Sequence, residues 1–228
     1  MGEMITLKSK DGFEFGAYHA TPTDARRGGI VLIQEIFGVT GHVKALVDDY
    51  AADGYEVIAP SYYDRLERGF AVPDYSPESV ARGVAHSRTT PWDEVAADTQ
   101  AAVDALKDKG PVFVTGHCWG GSASWLAAAR VDGIAAVSSF YGTRIATELL
   151  GETPKVPTIL HFGKKDASIP PENIAKIAEK NPDVPIYVYN AEHGFVSDRP
   201  TNHDVDATRL SHLRTLQLFT KGSGRGES

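Results

Sequence analysis

Residues 111–130 read Pro-Val-Phe-Val-Thr-Gly-His-Cys-Trp-Gly-Gly-Ser-Ala-Ser-Trp-Leu-Ala-Ala-Ala-Arg. Val112, Phe113 and Val114 form a short β-rich run, Gly116, Gly120 and Gly121 crowd around Cys118, and small residues with Leu126 follow at helical spacing. The pattern predicts strand, sharp turn, helix. It is a Gly-x-Cys-x-Gly counterpart of the Gly-x-Ser-x-Gly turn, in which glycines relieve crowding and leave a nucleophile exposed at a helix N-terminus. Cys118 is therefore the candidate nucleophile. The competing reading is a small core residue, which a free cysteine most often is.

Around this stretch, 228 residues suffice for one sizeable core, and no repeat or linker-like run divides them, so one domain over 1–228 is expected, with 221–228 a frayed tail. A composition 42% hydrophobic and 23% charged is that of an ordinary globular protein. A net charge of −7 without a Lys/Arg-rich run argues against nucleic acid or an anionic membrane surface as partner. One cysteine forms no internal disulfide. No apolar run approaches membrane-helix length, and no signal-peptide core is evident, so a cytoplasmic protein is expected, and a monomer.

Upstream, residues 4–8 and 13–19 flank Asp11-Gly12, a hairpin signal. Residues 30–34 form a β-branched run of the kind buried on both faces, followed by a helix over about 41–53, ended by Gly54, and a strand at 55–59. The segment 61–92 is punctuated by Pro73, Pro77 and Pro91 and yields no clear order. Residues 92–109 form an amphipathic helix with Val95, Thr99, Ala102, Val103 and Leu106 on one face and Asp98 mainly off it. Downstream, strands are expected at 134–140, 158–162 and 185–189, and helices at 144–150, 171–180 and 205–220. After an antiparallel start, this alternation predicts a mostly parallel sheet with helices on both faces. Ligands in such folds bind beyond the carboxyl ends of the strands, where Glu35, Tyr62, Tyr63, Cys118, Asp166 and His193 would converge.

A thiolate needs a base. His193, in a loop after the last strand, fits; the other histidines lie in strands, helices or uncertain positions, and His117 directly precedes the thiol. Asp166, after the 158–162 strand, is placed to fix the imidazole tautomer. The chain order nucleophile, acid, histidine is that of the α/β-hydrolase fold. No metal-binding pattern or phosphate loop competes, so no cofactor is expected.

Four blocks, Gln34-Glu-Ile-Phe-Gly-Val39, Gly116-His-Cys-Trp-Gly-Gly121, Gly163-Lys-Lys-Asp166 and His193-Gly-Phe195, resemble the signature blocks of the dienelactone hydrolases, the carboxymethylenebutenolidases of chloroaromatic degradation. The resemblance spans nearly the whole chain. It implies a Cys118–His193–Asp166 triad, and a Glu35 that contacts the resting thiol and swings aside for an anionic substrate. An oxyanion hole from the amides of Ile36 and Trp119 follows from the same resemblance and from the fold's general rule. It further suggests Tyr63 and Phe37 at the substrate site and a carboxylate-binding arginine in the unclear segment, matched best by Arg82 and next by Arg88. Where the family's type enzyme has an arginine four residues after the histidine, this chain has Ser197, with Arg199 two further on.

The expectation is an α/β-hydrolase that opens a small lactone or ester through a thioester on Cys118. A thiol esterase for neutral esters is the first alternative. A non-catalytic binding protein on the same fold is the second.

Overall fold

A computed structural model of the chain describes residues 2–224. The nucleophile segment folds as read: β5 (Val112–His117) runs through Cys118 into α4 (Trp119–Arg130). Every residue of β5 is buried, and so is α4 up to Ala129, because its small side chains let it lie close against the sheet.

Around it lie β1 (Glu3–Lys8), β2 (Glu14–Ala20), β3 (Gly28–Ile33), α1 (Gly41–Ala52), β4 (Tyr55–Pro60), α2 (Pro77–Thr89) and α3 (Trp92–Lys107) on the N-terminal side. On the C-terminal side follow β6 (Ile134–Phe140), β7 (Thr158–Gly163), α5 (Pro171–Lys180), β8 (Ile186–Tyr189) and α6 (Val205–Gly222). The strands form one sheet in the order β1-β2-β4-β3-β5-β6-β7-β8. β1, β2 and β4 pair antiparallel, and the remaining pairs are parallel. The strand order reverses between β3 and β5, so the loops carrying Glu35 and Cys118 leave adjacent strands in opposite directions and open a crevice between them.

Alternation along the strands sets the two layers. Val31, Ile33, Val112 and Val114 face α3 and α4, while Ile30, Leu32 and Phe113 face α1 and the end of α6.

Four expectations need correction. The unclear segment contains α2, with Ser76 as N-cap and Pro77 in its first turn; the proline starts the helix rather than interrupting the chain. Residues 144–150 form successive turns instead of a helix. Gly142 and Gly151 bracket them too closely for a stable nucleus, and Arg144 is held by tertiary bonds, its amide donating to Ser122 Oγ (2.9 Å) and its guanidinium to Ser87 (2.9 Å). Asp98 is buried, because Arg65 reaches it at 2.7 Å. Finally, α6 carries helix through Lys221 and Gly222; of the expected tail, 225–228 lie outside the described residues. No helix among the described residues is long and apolar enough to cross a membrane.

Candidate active site

Cys118 has φ 57° and ψ −116°, a backbone region that L-residues rarely occupy. It is held there from both sides. The Cys118 amide donates to Phe140 O (3.0 Å), and the Cys118 carbonyl accepts from the amides of Gly121 and Ser122. Gly120 passes so close to β3 that a Cβ would lie 2.3 Å from Gln34 O, which only glycine permits. The turn thus projects the sulfur from the N-terminus of α4, where unpaired amides and the helix dipole favour an anion.

The loops after β7 and β8 bring two further side chains to that sulfur. His193 Nε2 lies 3.2 Å from Cys118 Sγ, and its Nδ1 lies 2.6 Å from Asp166 Oδ2. The Asp166 side chain is fully buried, and its other oxygen accepts the Ser168 amide at 2.7 Å. Burial alone would depress the imidazole, but the charge of Cys118 and the hydrogen bond to Asp166 outweigh it and push His193 up to about 10. The cationic form of the ring is therefore favoured, beside the Cys118 sulfur. Tyr141 closes over the imidazole edge-on at 5.0 Å, itself at φ 36°. The sequence reading missed Tyr141; its only signal was Phe-Tyr-Gly at the end of a buried strand.

The Glu35 side chain is buried behind this group. Its Oε1 lies 3.7 Å from Arg199 Nη2 and has no hydrogen-bond partner. Here the hydrogen bond of the thiol is to His193, while Glu35 faces Arg199. That guanidinium lies over the rings of Phe37 (5.4 Å) and Tyr75 (5.2 Å) and donates to Ser197 Oγ (3.2 Å). Ser197, where an arginine was missing, thus serves as a bracket for the arginine two residues on.

A cavity of about 450 Å³ opens over the sulfur, lined by Ile36, Phe37, Cys118, Trp119 and His193, by Val80 and Val84 of α2, and by Arg88, Arg144 and Arg199. The amides of Ile36 and Trp119 donate to no other group among the described residues. Gly83 brings α2 against this loop, since a Cβ there would meet Ile36 O at 2.5 Å.

Two residues are placed differently from expectation. Arg82 points away from the cavity, half-exposed and paired with Glu67 at 2.9 Å. The reason is helical period: Val80, Val84, Ser87 and Arg88 share the face turned to the cavity, and Arg82 sits about 200° around from Val84. Tyr63 lies beneath Trp119 (5.2 Å between rings) rather than in the cavity wall, fully buried. Burial and then the charge of Cys118 raise its phenol well above the usual range, so it stays neutral. Arg144, unforeseen from sequence, takes the place of Arg82 in the cavity; its one local signal, a charge next to the Tyr-Gly after a strand, is common on surfaces.

No group of three or more His, Cys, Asp or Glu side chains among the described residues is arranged to hold a metal ion.

Residues 15–223 match the model of the dienelactone hydrolase family. The chain is 27% identical to a carboxymethylenebutenolidase of Pseudomonas sp. (strain P51), covering 96% of this chain and 95% of that protein. It is 31% identical to a putative carboxymethylenebutenolidase of Escherichia coli (strain K12), covering 97% and 88%. The crystal structure of a putative dienelactone hydrolase from Klebsiella pneumoniae superposes with a TM-score of 0.79 at 26% identity, covering 96% of this chain and 99% of that one. The chain belongs to the dienelactone hydrolase family and is a carboxylic ester hydrolase of that type, built on the α/β-hydrolase fold.

Proposed function

We propose that the chain hydrolyses a small, carboxylate-bearing lactone or ester by acyl transfer through Cys118. The observation that carries this reading is the continuous line from Asp166 Oδ2 to His193 to Cys118 Sγ, at 2.6 and 3.2 Å, ending on a strained turn beneath an open cavity. The thiolate attacks the ester carbonyl carbon, and the carbonyl electron pair moves onto oxygen, which the amides of Ile36 and Trp119 receive. Collapse breaks the C–O bond, and the His193 imidazolium gives its proton to the leaving alkoxide, which in a lactone remains tethered to the acyl group. His193, now neutral, takes a proton from water as that water attacks the thioester. The thiolate leaves and the acid product forms. Asp166 keeps the ring in the orientation both steps need.

Charge supports an anionic substrate. The chain carries −7 overall, yet the cavity that holds the thiol is lined by three arginines against one carboxylate, Glu148, which pairs with Arg144 at 3.6 Å. Arg88 makes no ion pair among the described residues and is the guanidinium most available to a substrate carboxylate. Such a pair contributes about 1.5–3 kcal/mol, or roughly tenfold to hundredfold in preference.

The test is kcat/KM for a carboxylate-bearing lactone against its methyl ester at fixed ionic strength, in wild type, Arg88→Ala and Arg82→Ala. The expected result is a preference for the free acid that narrows in Arg88→Ala and persists in Arg82→Ala. A wild-type preference for the methyl ester would contradict the anionic substrate and favour a thiol esterase for neutral esters, for which Val80, Val84 and Phe37 provide an apolar wall.

A further inference from the structure

A second cleft, of about 400 Å³, lies on the opposite face of the sheet from the thiol, between α1 and α6. Its floor is His117, the residue immediately before Cys118, whose side chain points the other way because successive residues of a strand alternate. Leu46 and Tyr50 of α1, Phe140 and Val196 form apolar walls.

Two buried histidines, on strands either side of β6, behave differently. His161 on β7 uses both ring nitrogens, bonded to Ser138 Oγ (3.1 Å) and Tyr189 Oη (2.8 Å). His117 on β5 is only 3% exposed and packs on Phe140 at 4.6 Å, yet neither ring nitrogen has a hydrogen-bond partner among the described residues. Unlike Tyr63 Oη or Trp119 Nε1, its nitrogens are not sealed from solvent, and its ring lines a cleft of ligand size.

The chemistry of the cleft selects the ligand. Burial pushes His117 down to about 3, so the ring is neutral and offers one donor and one acceptor but no charge. At the mouth, Asp53 is already paired with His212 at 2.8 Å, and Asp49 and Arg209 are of opposite sign. Nothing at the floor compensates a carboxylate or an ammonium. The ring of His212, partly exposed at the mouth and 5.0 Å from that of Tyr50, offers a face to an aromatic guest.

We propose that this cleft is a second binding site, separate from the thiol cavity, for a small uncharged aromatic molecule bearing one hydroxyl group, which pairs with the His117 imidazole. The proposal is independent of which ester is hydrolysed.

The test uses the full chain with Cys118 alkylated by iodoacetamide, which occupies the thiol cavity and leaves the cleft open. Phenol, toluene and benzoate are titrated at pH 7 by calorimetry, while the imidazole nitrogens of His117 are followed by NMR. Phenol is expected to saturate one site, shift the His117 signals and bind about tenfold more tightly than toluene, the order of one buried hydrogen bond, with benzoate weaker than phenol. Leu46→Trp, a change at a partly exposed helix position, should fill the cleft and abolish binding of both neutral probes. His117→Phe should retain toluene binding and lose the advantage of phenol. Unshifted His117 signals at saturating phenol, equal affinity for phenol and toluene in the unsubstituted chain, or phenol binding undiminished in Leu46→Trp would each overturn the proposal.

Discussion

Glu56 and Glu35 are both buried carboxylates, on adjacent segments of the same sheet, and their surroundings are opposites. Glu56, near the start of β4, receives Arg26 Nε (2.8 Å), Lys109 Nζ (2.8 Å) and His19 Nε2 (3.1 Å). Burial would raise its pKa, but these partners prevail and lower it. Glu35, just past the end of β3, has one guanidinium at 3.7 Å and an oxygen with no hydrogen bond. The contrast extends to the regions around them. Near Glu35 the buried side-chain atoms of Gln34, Tyr63 Oη and Trp119 Nε1 also lack partners, Tyr63 lying beside the Gln34 amide without reaching hydrogen-bond geometry. Both non-glycine residues with positive φ among the described residues, Cys118 and Tyr141, are there as well. The amino-end edge of the sheet is satisfied; the carboxyl-end edge stores strain and unmet hydrogen bonds where the thiol sits. The molecule concentrates cost where chemistry is proposed.

The largest expected effect breaks that pairing of strain with chemistry. Cys118→Gly should lower kcat by about four orders of magnitude or more while raising stability by about 1 kcal/mol, because glycine accepts φ 57° without penalty. Turnover assays and urea unfolding of the same preparations check both halves. A variant that is less stable than wild type would show the turn to be unstrained.

Glu56→Ala is the counterpart at the satisfied edge. It should cost about 3 kcal/mol, the low end for a broken buried pair since Lys109 stays partly solvated, and leave kcat per folded molecule unchanged. A smaller effect sharpens the picture by pH. Burial depresses His117 and His161 to about 3, below the unfolded value near 6.5, so the unfolded chain binds more protons as pH falls and stability is lost from about pH 6.5 downward. His193 has the opposite sign. Raised to about 10, it contributes stability below about pH 6.5 that is lost as pH rises through about 10. His161→Gln should flatten the acid limb by about 1.4 kcal/mol per pH unit and leave the alkaline limb alone, as unfolding free energies across pH will read. Smallest of all, Glu35→Gln should change stability by no more than about 1 kcal/mol, since it removes a poorly satisfied charge, while altering the rate at which iodoacetamide alkylates the free enzyme. A stability loss equal to that of Glu56→Ala, with alkylation unchanged, would erase the distinction between the two edges.

How far these features could be read in advance follows from how local their causes are. The elbow, the buried strands and the convergence of Cys118, Asp166 and His193 rest on patterns of a few residues plus the right-handed crossover, and all were legible. Helix α2 was missed although Ser76-Pro77-Glu78 is a start signal, because prolines at 73, 77 and 91 read equally well as loop punctuation. With α2 unplaced, its cavity face could not be assigned, and the resemblance alone put Arg82 ahead of Arg88, which lies on the cavity face. The turns after β6 carry Ile145 and Leu149 at helical spacing, both buried, yet that spacing arises from packing on the core cluster beneath α4 and not from a helix. Arg144 reaches the cavity through those turns. Its placement depends on Ser87 and Ser122, 57 and 22 residues away, and no window of sequence contains that.

The claim on which the rest depends is that Cys118 carries the acyl group. The direct measurement is rapid acid quenching of the enzyme turning over p-nitrophenyl acetate, followed by peptide mass spectrometry. An acetyl group should appear on Cys118 alone, form as fast as nitrophenol is released, and disappear at the rate of turnover. Turnover without an adduct on Cys118, or with the acetyl group on another residue, would contradict it.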